Sequence, residues 1–170
     1  MLTILSGASG TGKTSKLLQL VDVAQSQGIQ VVGVLCPAVF TGAQKSGIDA
    51  LLLPSGHRRP LARRRDTAGE GEHGLCWDFE QQTMAVVNRH LHASRGDLLL
   101  IDEVGPLELL YAEGFAEAVR VLEKRLYVSA LAVVRPTLVV DAKRRFGRSV
   151  VIDVAQFLPG INLLASLMDA

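Results

Sequence analysis

The amino-acid sequence predicts an α/β domain with a mostly parallel sheet flanked by helices. Its short apolar runs, Leu2 to Leu5, Val31 to Leu35, Leu98 to Ile101, Tyr127 to Val134 and Ser149 to Ile152, are continuous and not alternating. That is the pattern of strands covered on both faces. Helical patterns fall between these runs, and strands that alternate with helices require parallel crossovers. No internal repeat and no linker divides the 170 residues, so residues 1–170 are expected to form one domain.

The first run has no basic leader and reads as a buried strand, not a signal peptide. The helix after it places Leu17, Leu20, Val21 and Ala24 on one face and Lys16, Gln19, Asp22 and Gln25 on others, with Gly28 as its stop. After Val31 to Leu35 the rhythm breaks. Ala38 to Thr41 and Ile48 to Leu53 read as strands around the polar turn Gly42 to Gly47, an antiparallel β-hairpin insertion near residues 37–53. Gly56 to Arg65, and then the glycine-rich Asp66 to Gly74, read as an exposed, mobile loop. A second helix is expected near Phe79 to Leu91 and a third near Gly114 to Arg125, burying Phe115, Val119 and Leu122. A fourth follows Pro136 and stops near Gly147, and a fifth begins near Gly160.

Composition excludes several classes of function. Lysine plus arginine (18) nearly cancels aspartate plus glutamate (17), so no global field draws the chain to nucleic acid or an anionic membrane. Aromatics make up 5% of residues, too few for the interleaved basic and aromatic surface that binds single strands. No apolar run approaches the roughly 18 residues of a membrane span. Cys36 and Cys76 lie outside any Cys-x-x-Cys arrangement and suggest neither metal nor redox chemistry, so a reducing cytoplasm is the expected setting. His90 and His92 are two apart on a predicted helix and do not share a face as metal ligands would. No Ser-His-Asp arrangement is indicated.

The chemistry concentrates in Gly7-Ala8-Ser9-Gly10-Thr11-Gly12-Lys13-Thr14. It meets the Gly-x-x-x-x-Gly-Lys-Thr phosphate-loop pattern and has the strand before it and the helix after it that the pattern needs. Glycines at 7, 10 and 12 let the backbone curl so that successive N–H groups and the helix N-terminus face an anion. Residues Gly7 to Ser15 are therefore candidates to bind the phosphates of a nucleoside triphosphate. Lys13 would reach the β- and γ-phosphates, and the Thr14 hydroxyl would be a Mg²⁺ ligand.

Leu98-Leu99-Leu100-Ile101 ends in Asp102-Glu103, where a central parallel strand would deliver carboxylates to its C-terminal edge. Asp102 is a candidate to hold Mg²⁺, and Glu103 to orient or deprotonate an attacking water. Glu108 is a third acid, with a solvated or salt-bridged surface role weighed equally. An acid directly after the metal-binding aspartate favours the branch of phosphate-loop proteins in which another strand lies between the two motifs, giving strand order 5-1-4-3-2. Tyr127 to Val134 would be that strand, and Arg135 would emerge beside the loop, able to sense the γ-phosphate or stabilise transition-state charge. The competing reading is that Arg135-Pro136 caps a strand.

Five arginines lie between His57 and Arg65. They read as a lid over the triphosphate, a contact for a polyanionic partner, or a solvated face. Trp77 would stack on a base or pack into the core.

Together these segments resemble one family, the small nucleoside-triphosphatases first described from thermophiles and called cancer-related nucleoside-triphosphatase in animals. The resemblance rests on the phosphate loop and on Asp102-Glu103-Val104-Gly105-Pro106-Leu107-Glu108-Leu109, similar to that family's Asp-Glu-aliphatic-Gly-x-x-Glu-aliphatic segment. Gly47-Ile48-Asp49 and Leu61-Ala62-Arg63 add to it. Ile48 replaces the family's usual aromatic, and Pro106 stiffens the acidic loop. The resemblance implies a RecA-like fold and slow, base-tolerant, Mg²⁺-dependent hydrolysis of nucleoside triphosphates by residues matching Gly12, Lys13, Thr14, Asp102 and Glu103, and further Glu108 and Arg63. Two other functions fit the same residues: a small-molecule or nucleotide kinase with the arginine segment as lid, and a nucleotide-dependent switch. No feature indicates a specific protein partner.

Overall fold

The structure, a computed structural model, describes residues 1–65 and 77–168. Strand β1 (Leu2–Ser6) leads into helix α1 (Lys13–Ser26) and β2 (Val31–Leu35). An antiparallel excursion follows: β3 (Ala38–Thr41), β4 (Gln44–Leu53), β5 (His57–Arg64) and β6 (Trp77–Phe79). The chain then forms α2 (Gln81–Ala93), β7 (Leu98–Val104), a short α3 (Pro106–Leu109), α4 (Ala116–Lys124) and β8 (Ser129–Val134). A 3₁₀ turn at Pro136–Leu138, α5 (Val139–Phe146), β9 (Val150–Asp153) and α6 (Ile161–Met168) complete it.

All the strands join one sheet in the order β6-β5-β4-β2-β7-β8-β1-β9, with β3 beside β4. The pairs β2 with β7, β7 with β8, β8 with β1 and β1 with β9 are parallel, so these strands end at a common edge. Their continuous apolar character has a direct cause. Leu99 and Ile101 of β7 enter a core beneath α2, α4 and α5, while Leu98 and Leu100 enter a second core beneath α1 and α6. β1, β2, β7 and β8 are covered on both faces, so their positions up to the acidic end of β7 are apolar apart from Thr3, Ser6, Gly33 and Ser129.

The antiparallel strands raise a wall above the edge where the parallel strands end. Leu53 of β4 pairs with Gly33 and Leu51 with Leu35, so the first half of β4 extends past the end of β2. Its outer neighbour β5 pairs Ala62 with Ile48 and Arg63 with Gly47, and β6 pairs Trp77 with Arg64. The arginine-rich segment is thus a strand, not a loop. Leu61 and Ala62 are its buried members; Pro60 sits opposite Asp49, where the β4–β5 register shifts, a place where a missing N–H is tolerated. The insertion accordingly runs beyond residue 53, through β5 to β6. Phe79 belongs to β6, so the second helix begins at Gln81 and not at Phe79. The segment Asp66 to Gly74 and Cys76 lie outside the described residues. No helix of the described residues is long and apolar enough to cross a membrane.

Removing a side chain from the two-sided core should be costly in a way that surface truncation is not. Leu99, 1% exposed, is expected to lose about 2–5 kcal/mol of stability on change to Ala. Val140→Ala, at a position 66% exposed, should stay within about 0.5 kcal/mol of the parent. Urea unfolding midpoints of the two variants check the contrast.

Candidate active site

The phosphate loop is shaped by glycine at the turn into α1. Gly12, the residue preceding the helix, has φ 80° and ψ 20°, a left-handed conformation that a β-carbon would penalise. Gly7 is buried, whereas Ala8, Ser9, Gly10, Thr11, Gly12 and Ser15 are exposed and Lys13 and Thr14 half-buried. The Thr11 hydroxyl donates to the Ala8 carbonyl at 2.7 Å, tightening the loop from within. Lys13 Nζ lies back over the loop, donating to the Gly7 carbonyl at 2.7 Å and to that of Ala8. Partial burial holds the Lys13 ammonium below its ordinary pKa; Asp102 and Glu103 oppose that shift and Arg135 adds to it. All four side chains therefore share one electrostatic neighbourhood.

Asp102 is 4% exposed and joins the loop to the acidic strand. Its carboxylate accepts from the Cys36 backbone N–H at 3.0 Å, and the Thr14 side chain is near enough to favour its charged form. The Cys36 contact exists because β2 ends at Leu35 and its ladder with β7 ends one residue earlier, at Val34 and Ile101, so the Cys36 N–H lies beyond the strand ladder. Burial raises the Asp102 pKa above its usual value, against both of these influences.

Glu103 sits where the β7–β8 register shifts between Ile101 and Val104, with φ 124°. Its Oε1 accepts from Arg135 Nη2 at 2.6 Å, an ion pair about half exposed on both sides. Arg135 is also the residue that leads into the 3₁₀ turn, so its backbone ends β8 while its side chain reaches Glu103.

Glu108 is not solvated, and among the described residues it makes no salt bridge. It is 7% exposed, and its two oxygens accept from the Gly105 N–H at 2.8 Å and the Phe115 N–H at 2.9 Å. The carboxylate thus braces the loop that follows Glu103. Gly114 makes room for it, since a β-carbon there would stand 2.2 Å from Glu108 Oε1. Burial, followed by smaller opposing contributions from these N–H groups, raises its pKa.

The wall contributes cations at the same edge. Lys45 lies over the Trp77 ring, 4.9 Å from its centre, and Trp77 packs half-buried against the core. Arg63 approaches Glu80 at 3.8 Å, largely exposed, and Arg65 pairs with Asp78.

A family model described as NTPase matches residues 3–156. The chain belongs to this NTPase family. It is 30% identical to a nucleoside-triphosphatase of Methanothermobacter thermautotrophicus over 156 residues, 90% of this chain and 87% of that protein. It is 32% identical to one from Methanopyrus kandleri, over 69% of this chain. The chain spans 64% of that relative's length, somewhat under two thirds. With the human cancer-related nucleoside-triphosphatase it shares 33% identity over 68% of this chain and 65% of that one. The human enzyme's solution structure superposes with a TM-score of 0.67 at 24% identity, covering 89% of this chain and 87% of that one. A crystal structure of THEP1 from Aquifex aeolicus gives 0.65 at 17%, covering 99% and 95%. These likenesses show that the fold is shared: α/β, with a mostly parallel sheet and flanking helices.

Sequence reasoning singled out Asp102, Glu103, Lys13, Thr14 and Arg135, and the fold brings them together. It missed the Cys36 N–H, because a backbone donor carries no residue-type signal, and the burial of Glu108, whose partners are also backbone.

The Glu108 brace leaves a signature in pH. An acid whose folded pKa lies above its unfolded value holds its proton more tightly in the fold, so its contribution to stability is full below the unfolded value and is lost as pH rises through the folded one. Wild type is therefore expected to lose thermal stability relative to Glu108→Gln as pH rises from about 4 to about 8. Thermal midpoints of both proteins across that range test it; a difference that stays constant, or moves in the wild type's favour, rules it out.

Proposed function

We propose that the protein hydrolyses nucleoside triphosphates to the diphosphate and phosphate, with Mg²⁺ and little preference among bases. The observation that carries this reading is the meeting of the loop's Lys13 with the acidic strand: Asp102 is buried there, and Glu103, paired with Arg135 at 2.6 Å, acts with it on the Lys13 ammonium. The names of the relatives, nucleoside-triphosphatase, support the same reaction.

The residues suit a magnesium ion. Among the described residues no group of three or more His, Cys, Asp and Glu could hold a metal by itself. A hydroxyl, one buried carboxylate and substrate phosphates are, however, the oxygen donors Mg²⁺ commonly takes. Thr14 would be a direct ligand and Asp102 would hold the ion directly or through water. When bound, the ion neutralises charge on the β- and γ-phosphates.

The chain's own groups do the rest. Backbone N–H groups from Gly7 to Ser15 hold the phosphates, and Lys13 exchanges its two carbonyl partners for β- and γ-oxygens. Glu103 accepts a proton from a water aimed at the γ-phosphorus. Arg135 turns from Glu103 toward the γ-phosphate, stabilising charge that develops there and leaving Glu103 free to act. Because phosphate contacts come from backbone and Lys13, they say nothing about the base, in keeping with broad tolerance. A cytoplasm, where Mg²⁺ and triphosphates are abundant, suits this activity.

A phosphate-release assay over ATP, GTP, CTP and UTP, with and without Mg²⁺, tests the proposal. Turnover should vanish on chelation. Glu103→Gln should keep nucleotide binding and lose about 100-fold or more in kcat. Arg135→Ala should lose a comparable factor, with Arg135→Lys failing to restore it fully. Lys13→Ala should weaken binding. Wild-type turnover by Glu103→Gln would remove it from the mechanism, and phosphate transfer only in the presence of an added hydroxyl acceptor would identify a kinase instead.

A further inference from the structure

The two ends of the sheet are finished differently. At one end β6 is three residues long and carries Asp78 at its centre, paired with Arg65. A short edge with a charge in its middle discourages a further strand. At the other end β9 has β1 as its one strand neighbour among the described residues. It reads Val150-Val151-Ile152-Asp153, with no proline, no glycine and no charge before its last residue. Val150 and Val151 are 46% and 40% exposed, so this edge offers aliphatic surface on both faces.

The ladder with β1 determines which backbone groups of β9 are left over. Asp153 stands opposite Ser6, and the Val154 N–H donates to the Ser6 carbonyl at 2.7 Å. A parallel ladder bonds alternate residues of a strand. Val150 and Ile152 therefore turn their N–H and C=O toward β1, and Val151 turns both away. Asp153 also faces outward, but its carbonyl already accepts from the Gln156 N–H at 2.9 Å. Charge runs along the same edge. Arg148, exposed, precedes the strand, and Arg125 Nη2 donates to the Arg148 carbonyl at 3.0 Å; the exposed Asp153 ends it. The start of β9 is positive and its end negative.

We propose that β9 is a self-pairing edge, joining two copies of this chain in antiparallel register across a twofold axis at Val151. Turning one copy over brings the positive start of each β9 beside the negative end of the other, which a parallel arrangement would not do. Outward-facing residues must meet outward-facing residues, so Val151 exchanges both backbone hydrogen bonds with Val151 of the second copy. The same register sets Val150 against Ile152 and Ser149 against Asp153, with Arg148 one residue further along. An axis at Val150 would instead put Arg148 against Ile152, and an axis at Ile152 would set Val151 against Asp153, whose carbonyl is engaged. Such a contact uses the same patch on both copies and closes at two. With four strand residues a side, it lies at the small, weakly associating end of protein interfaces.

Light scattering of the full chain without nucleotide, over a concentration series reaching about 1 mM, tests the proposal. The wild type should pass from one chain mass to twice that mass and no further. Val151→Lys opposes two ammonium groups at the axis and should remain a single chain throughout. Arg148→Glu lies outside the strand, sets an acid beside Asp153 of the other copy, and should weaken association about tenfold. Val140→Lys, at a position on α5 that is 66% exposed, should pair as the wild type does. Thermal midpoints in dilute solution, where every variant is a single chain, should match the wild type, which separates lost pairing from lost folding. If Val151→Lys melts early, Arg148→Glu decides alone. A wild type that stays single at every concentration overturns the proposal, and so does a dimer that Val151→Lys or Arg148→Glu leaves unweakened.

Discussion

The edge where the loop after β1 meets the acidic end of β7 depends on one buried carboxylate. Asp102 accepts an N–H from the end of β2 through Cys36 at 3.0 Å, with Thr14 and Lys13 of α1 close enough to favour its charge, so β7, β2 and α1 meet around its oxygens. A buried acid is costly to ionise, and its burial outweighs these groups in setting its pKa. They favour the charged form that a cation would need. Under the proposed reading, a cation held at this carboxylate would add to the Lys13 charge in offsetting the cost of its burial.

The neighbouring acid is built in the opposite way. Glu103 pairs with Arg135 at 2.6 Å, but both side chains are about half exposed, and such pairs contribute roughly 0–1 kcal/mol. Separating them costs little, which suits the exchange of partners proposed for them. What keeps Glu103 from wandering is the backbone. The register shift in β7 and the Glu108 brace on Gly105 and Phe115 fix the chain on either side of it. Rigidity comes from buried hydrogen bonds and freedom from an exposed ion pair.

Much of this was legible in the sequence because its signals are local. The phosphate loop, the apolar run ending in Asp102-Glu103 and the continuous strands of a two-sided sheet each declare themselves within a few residues. The parts that were not legible depend on distant partners. The arginine-rich strand β5 looked like a loop because only Leu61 and Ala62 mark its inner face and Pro60 interrupts it; the pairing with β4 that stabilises it is set elsewhere in the chain. Glu108 looked like a surface charge because the two N–H groups that hold it belong to Gly105 and Phe115, whose side chains say nothing of the bond.

The antiparallel wall shows how such distant pairing affects the site. Pro37 interrupts the line from β2 to β3, yet its carbonyl still accepts from the Asp49 N–H at 2.9 Å, so β3 continues along the same side of β4 that β2 occupies. The break leaves the Cys36 N–H free for Asp102, while the continuation carries Lys45 up to Trp77 above the same edge. A straight, unbroken β2 would offer no donor at that point to a neighbour's carboxylate, since strand N–H groups are committed to the ladder. The excursion of four antiparallel strands is therefore part of how the parallel sheet holds its acid, and not only an addition to its edge.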